Sequence, residues 1–182
     1  MKSGRILETF TVKDGRTVVL RTPKWEDLDD LLGLINSLVE EKAEIIVDEK
    51  VSREQEAEWL SDVLLRLEKG QIFFLVAGVE GKVVASSDIH FGKGSEKHVG
   101  ALGIAVQSGL RDLGIGTLMM RTMVNEARRI GLKLLVLSVF VTNKRAIHVY
   151  EKLGFMQTGK VPKKHFRQGK YVDEIAMAKL LE

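Results

Sequence analysis

Between the apolar run Ala101–Val106 and the amphipathic run Thr117–Ile130 lies Gln107-Ser-Gly-Leu-Arg111-Asp-Leu-Gly114-Ile-Gly116, and no other stretch constrains this chain as much. Apolar, glycine-bearing, then amphipathic reads as strand, turn, helix. Amides at a helix start have no partner within the helix and lie at the positive end of the aligned peptide dipoles. Glycines at that point let a polyanion approach the backbone, and a pyrophosphate is the natural ligand. The spacing is neither the G-x-G-x-x-G of dinucleotide folds nor the G-x-x-x-x-G-K-[ST] of phosphate loops. Taken alone, Arg-x-x-Gly-x-Gly serves equally well as a structural turn.

A second block follows downstream. Leu134–Phe140 is another apolar strand, and Asn143-Lys-Arg-Ala146-Ile-His-Val-Tyr150-Glu-Lys-Leu-Gly154-Phe155 opens a short helix and closes it on glycine. In combination and order, these residues resemble the GNAT N-acetyltransferase superfamily. The first block looks like its acyl-CoA pyrophosphate loop, the second like its Asn-x-x-Ala-x-x-x-Tyr-x-x-x-Gly-Phe block. The close resemblance covers Val99 to Phe155, and the order of elements extends it over most of the chain.

Composition sets the outer bounds. A chain of 182 residues is one ordinary domain, long enough to bury a core without staples. With 45% hydrophobic and 29% charged residues it reads as a globular protein, without a run of the roughly 18 apolar residues a membrane span needs. The first residues lack the apolar stretch of a signal peptide, so a cytoplasmic location is the default expectation. Cysteine is absent, which excludes disulfides, a thiol nucleophile and thiolate metal sites. A net charge of +3 suits an anionic ligand but is too mild, without a clustered basic and aromatic face, to argue for nucleic acid.

The expected fold is α/β with a mixed sheet in the order βααβββαβαβ. Thr9–Val12 and Arg16–Arg21 flank Asp14-Gly15, a hairpin signal. Pro23 and Trp25 open a helix to about Glu41, with Leu28, Leu31, Leu32, Ile35 and Leu38 on one face. Ser52, with Gln55 three residues on, caps a second helix to Gly70, with Trp59, Leu60, Val63, Leu64 and Leu67 inward; Ala43–Val51 is a mobile loop between them. Strands Gln71–Val79 and Lys82–Ile89 turn at Glu80-Gly81, and His98–Val106 completes a meander. A helix over Gly114–Ile130 and a strand over Leu134–Val141 make a crossover that sets two strands parallel. A strand near Phe155–Val161, a basic loop Lys163–Lys170 and a strand near Tyr171–Ala178 end the domain.

The resemblance assigns roles. Acetyl-CoA is the implied acetyl donor, its diphosphate held by Arg111, Asp112, Leu113, Gly114, Ile115, Gly116 and Thr117. In the resembled family the strand before this loop splays from its parallel neighbour, and the pantetheine arm inserts there like an extra strand. Ile104, Ala105 and Val106 then supply backbone groups to it while their side chains join the core. Asn143 caps the following helix, with a pantetheine contact as an added, compatible role. Tyr150 is either a core tyrosine with a satisfied hydroxyl or the general acid that protonates the departing thiolate.

An alkyl ammonium of pKa about 10.4 costs roughly 4.6 kcal/mol to deprotonate at pH 7, so a base or a water chain is needed. Asp88, His90, His98, Glu40 and Glu41 are the candidates by position. Members that acetylate the N-terminus of a ribosomal protein carry glutamate where this chain has Ser138, a poor base, which speaks against that substrate. Similar Gly-x-Tyr-x-Asp-Glu endings make Tyr171 and Asp173 acceptor-pocket candidates. The resulting expectation is an N-acetyltransferase acting by direct attack of a small-molecule or peptide amine, without a metal, and with a homodimer in keeping with the family. The alternative is a CoA-binding module without turnover, which would have no use for an acid beside the sulfur.

Overall fold

The computed structural model describes residues 2–181 and contains, among them, eight β-strands and four α-helices. Its contacts divide the chain into two compact units, Met1–His90 with Gly103–Met123, and Phe91–Leu102 with Val124–Glu182. No helix among the described residues is long and apolar enough to cross a membrane.

In the first unit β1 (Ile6–Thr11), β2 (Thr17–Arg21), β3 (Ile72–Val79) and β4 (Lys82–Phe91) lie side by side, antiparallel and in chain order. The turn between β3 and β4 takes Glu80 and Gly81 to φ 51° and 82°, the left-handed pair whose twist matches that of the flanking strands. Helices α1 (Leu28–Glu40) and α2 (Arg53–Glu68) cover these strands: Leu28, Leu31, Leu60, Val63 and Leu67 pack with Ile72, Phe74, Val76 and Val83. Helix α1 begins later than its apolar pattern predicts. Asp27, pinned by Arg21 through two 2.6 Å hydrogen bonds, accepts the Lys24 amide at 2.9 Å and winds Trp25–Asp27 into a tighter 3₁₀ turn. The Ser52 capping box forms as expected, Gln55 N to Ser52 Oγ at 3.2 Å and Ser52 N to Gln55 Oε1 at 2.9 Å.

In the second unit, β5 (Val99–Val106) pairs in parallel with β6 (Leu134–Phe140) over Val99↔Leu134 to Ala101↔Val136. Its C-terminal half, Gly103–Val106, belongs to the first unit, where the Ser87 hydroxyl donates to the Gly103 carbonyl at 2.7 Å and the Gln107 amide to the Val84 carbonyl at 3.0 Å. Beyond β6 come β8 (Lys170–Leu180) and then β7 (Met156–Arg167), both antiparallel. Helices α3 (Ile115–Arg129) and α4 (Lys144–Lys152) complete the elements.

The basic stretch expected as a loop is the tip of the β7–β8 hairpin. Most of β7 is exposed on both faces, so no apolar alternation announces it. Cross-strand pairs hold it instead: Phe166 meets Tyr171 with ring centroids 5.1 Å apart, and the turn closes on Gln168 and Gly169 at φ 50° and 74°. A bulge between Val161 and His165 places Lys163 at φ 54°, with its amide on Asp173 Oδ1 at 2.8 Å.

Candidate active site

The turn from β5 to α3 lies in the first unit and has the conformation that its glycines suggested. Arg111 is extended, Asp112 and Gly114 take φ 69° and 93°, and the first amide bonded back into the helix is that of Leu118, to the Gly114 carbonyl at 3.0 Å. The amides of Ile115, Gly116 and Thr117 therefore precede the hydrogen-bonded ladder. A Cβ at Gly114 would meet nothing within 4 Å, so no neighbouring side chain covers the backbone on that side. A Cβ at Gly116 would touch Val106 Cγ2 at 3.6 Å, an ordinary contact. This bare turn with a helix behind it fits a diphosphate through backbone donors and peptide dipoles. Arg111 stands at the entry of the turn, where its Nε donates to the Val106 carbonyl at 3.1 Å and its Nη2 contacts Glu41 at the end of α1.

Ile104, Ala105 and Val106 correct an expectation as well. Their side chains are only half-buried rather than part of the core, because the strand borders a cavity. That cavity, of about 450 Å³, lies wholly within the first unit and touches Ser86 and Ala105 on the strands. Helix α1 lends it Leu31, Leu34, Ile35 and Leu38. The loop before α2 adds Val47, Glu49, Lys50 and Val51, and the loop's end is clasped by Asn36, whose Nδ2 donates to the Val51 carbonyl at 2.9 Å while its Oδ1 accepts the Val51 amide at 2.8 Å. From α2 come Gln55, Glu56 and Trp59. Trp59 is thus not a core residue as predicted; it is 41% exposed, its edge against Phe74 at 5.6 Å.

Glu56 is the residue that sequence reasoning missed. It is 5% exposed, and burial among apolar neighbours pushes its carboxyl up to about 6. The charged run Arg53-Glu-Gln-Glu56-Ala-Glu58 hides it, but Glu56, Leu60, Val63 and Leu67 recur at helical spacing on the buried stripe of α2. A carboxylate at the head of an apolar stripe was the available signal.

The base candidates of the first unit are engaged with basic side chains. Glu40 pairs with Lys50 at 2.5 Å, Glu41 with Arg111, and Asp88 Oδ2 with His90 Nε2 at 2.8 Å, while His90 Nδ1 faces Arg66 Nη2 at 3.2 Å. His98, in the second unit, is exposed.

Also in the second unit, Asn143 caps α4, its Oδ1 accepting the Ala146 amide at 3.1 Å. Helix α4 ends as its sequence predicts, on Gly154 at φ 83°, with the Gly154 amide on the Glu151 carbonyl at 2.9 Å and the Phe155 amide on the Tyr150 carbonyl at 3.0 Å. Tyr150 is 8% exposed and lies 6.1 Å from Phe155, centroid to centroid. Burial pushes its phenol up to about 12, and its hydroxyl bonds to no group among the described residues. Its ring is part of the core and its hydroxyl is left accessible. Tyr171 is 65% exposed, and Asp173 is held by Lys160 at 2.7 Å and by the Lys163 amide. Ser138 hydrogen-bonds Glu174. No cluster of three or more metal-ligating side chains exists among the described residues.

The strand, the bare-backbone turn and the helix of the first unit together suit the diphosphate of an acyl-CoA. The chain belongs to the Acetyltransferase (GNAT) family, whose family model matches residues 28–155. It is 35% identical over 108 residues to the L-amino acid N-acetyltransferase AaaT of Escherichia coli (strain K12), covering 58% of this chain and 67% of that protein. Among solved structures it is similar to a ribosomal-protein-alanine N-acetyltransferase from Brucella melitensis, with a TM-score of 0.80 and 27% identity over 89% of this chain and 99% of the other. A GNAT superfamily phosphinothricin acetyltransferase (Pat) from Sinorhizobium meliloti in complex with AcCoA shares the fold, with a TM-score of 0.80 and 19% identity over 90% and 88% of the two chains. The protein is an N-acetyltransferase with acetyl-CoA as donor, and all three relatives are named as transferases rather than as binding modules.

Proposed function

We propose that Ile104, Ala105, Val106, the turn Arg111–Thr117 and Asn143 hold acetyl-CoA, and that Tyr150 is the general acid for direct transfer to a small-molecule or peptide amine. Acetyl-CoA brings a thioester whose sulfur leaves with the electron pair. The amides of Ile115, Gly116 and Thr117 face the diphosphate, and a β5 amide near Val106 polarises the thioester carbonyl. Tyr150 carries this reading: its ring is buried, its hydroxyl bonds to no group among the described residues, and since no fully buried polar atom among them lacks a partner, that hydroxyl is open to a ligand. A phenol held at about 12 stays protonated across the physiological range and donates as charge develops on sulfur. Relatives named for L-amino acids and phosphinothricin favour a small amine as acceptor.

Two measurements test this assignment. Acetyl-CoA at about 100 times its Kd raises the unfolding free energy by about 2.7 kcal/mol through preferential binding to the folded state, and free CoA competes. Thiol release against a panel of amines, amino acids and peptides then reports turnover. No saturable shift at millimolar acetyl-CoA, or an equal shift with NAD or ATP, contradicts the cofactor site.

A further inference from the structure

We propose that Glu56 is the general base of the reaction and that the acceptor is a primary amine carried on an apolar body. This rests on the acetyltransferase reading above and adds the group that takes the amine's proton.

Three observations converge on Glu56. The cavity is walled by the leucines of α1, by Trp59 and by Ala105, on the strand assigned to the pantetheine arm, so whatever fills it lies beside the thioester end. Such walls suit an aliphatic or aromatic body and leave Glu56 as the one buried charge among them, enough for a single ammonium. Within this cavity Glu56 is more than nine-tenths buried, and its carboxylate has no hydrogen bond or ion pair among the described residues. No fully buried side-chain polar atom among those residues lacks a partner, so its oxygens are reached from the cavity itself. The other acidic candidates of this unit are already engaged: Glu40 and Glu41 pair with Lys50 and Arg111, and Asp88 accepts from His90 Nε2.

The charged groups lining the cavity are Glu49, Lys50 and Glu56; Lys50 is held by Glu40 and Glu49 is exposed to solvent, so the counter-charge that meets an ammonium inside the cavity is Glu56. The apolar surroundings that raise the Glu56 carboxyl also lower a bound ammonium, which narrows the gap between them and eases the transfer. An ammonium has two protons to lose. The first passes to the Glu56 carboxylate and on to water, freeing the lone pair. The nitrogen then attacks the acetyl carbon, the C–N bond forms, the C–S bond breaks, and the sulfur takes the electron pair. The second proton, lost as the amide forms, leaves through the freed Glu56 carboxylate to water, while Tyr150 protonates the sulfur and regains its proton from solvent.

The test compares wild type, Glu56→Gln and the exposed control Glu58→Gln by thiol release with phenethylamine and with spermidine, across pH. Glu56→Gln is expected to lower kcat/KM for phenethylamine by about 100- to 10,000-fold and to remove the acidic limb near pH 6 from the wild-type profile, leaving acetyl-CoA affinity within about twofold. Its Tm holds or rises, whereas a structural carboxylate would lose Tm. Wild type is expected to prefer phenethylamine to spermidine by at least about tenfold in kcat/KM. The base assignment is overturned by a rate within about threefold of wild type, by an equal loss in Glu58→Gln, or by a Glu56→Gln protein that melts below wild type. Preference for spermidine, or turnover of other amines but not phenethylamine, overturns the acceptor class. A wild type inert to every amine overturns the acetyl-transfer assignment itself, so the failures are distinct.

Discussion

Glu56 in the first unit and Glu174 in the second are buried to the same degree, 5% and 6% exposed, yet their carboxyls shift in opposite directions. For Glu56, burial acts alone and raises the carboxyl to about 6. At Glu174 burial also raises it, but hydrogen bonds from Lys164, from His165 at 2.8 Å and from Ser138 outweigh that and hold it below the usual carboxylate range. Equal burial with opposite outcome separates two uses of a carboxylate. The paired one ties the long β7–β8 hairpin together, with His165 stacked edge-on against Phe140 at 4.6 Å. The other is left without a partner, at a cost to stability that a structural role does not explain.

The hardest test of that contrast is a group that lies in the same unit as Glu174 but lacks a partner, as Glu56 does. Tyr150→Phe keeps the buried ring and removes only the hydroxyl; the single-turnover rate falls by about tenfold to a thousandfold with acetyl-CoA affinity nearly unchanged. A rate within about threefold of wild type would falsify the acid assignment and leave water as the proton donor. Next in size, Glu174→Ala strands Lys164 and His165 and lowers the unfolding free energy at pH 7 by about 2–3 kcal/mol in urea titrations. A loss below about 0.5 kcal/mol would show that the cluster is only a solvated surface pair.

The smallest effect has the opposite sign. Glu56 has its carboxyl raised in the fold, so its contribution is most favourable below the unfolded value of 4.5 and is lost as pH rises through about 6. Glu56→Gln therefore unfolds with up to about 2 kcal/mol more free energy than wild type near pH 8, and the gap closes by about pH 4. Glu174 runs the other way. Its lowered carboxyl adds stability above the usual carboxylate range and loses it as pH falls through the folded value. Parallel pH profiles for the two variants would remove the distinction.

Local signals were legible wherever backbone chemistry set them. The turn around Gly114, the cap at Asn143, the Ser52 capping box and the closure of α4 on Gly154 each follow from one or two residues whose conformation or hydrogen bond is dictated in place. What stayed hidden depends on partners distant in sequence. Strand β7 exposes both faces and is fixed by β8, so its lysines read as a loop. The 3₁₀ turn before α1 is imposed by Arg21, on a neighbouring strand. Glu56 reads as one more surface charge, because only the cavity formed by α1, α2 and β5 makes it a buried one.

The clasp of Asn36 on Val51 separates two properties of the enzyme. By using both its donor and its acceptor on one backbone position, Asn36 fixes the residue just ahead of the Ser52 cap, and thereby the start of the helix that carries Glu56. The loop upstream of that anchor, including Val47, Glu49 and Lys50, can change in length or composition without moving the carboxylate. Part of what meets an acceptor and the group that takes its proton thus lie in different segments, so loop changes can reshape one side of the cavity while the carboxylate stays in place.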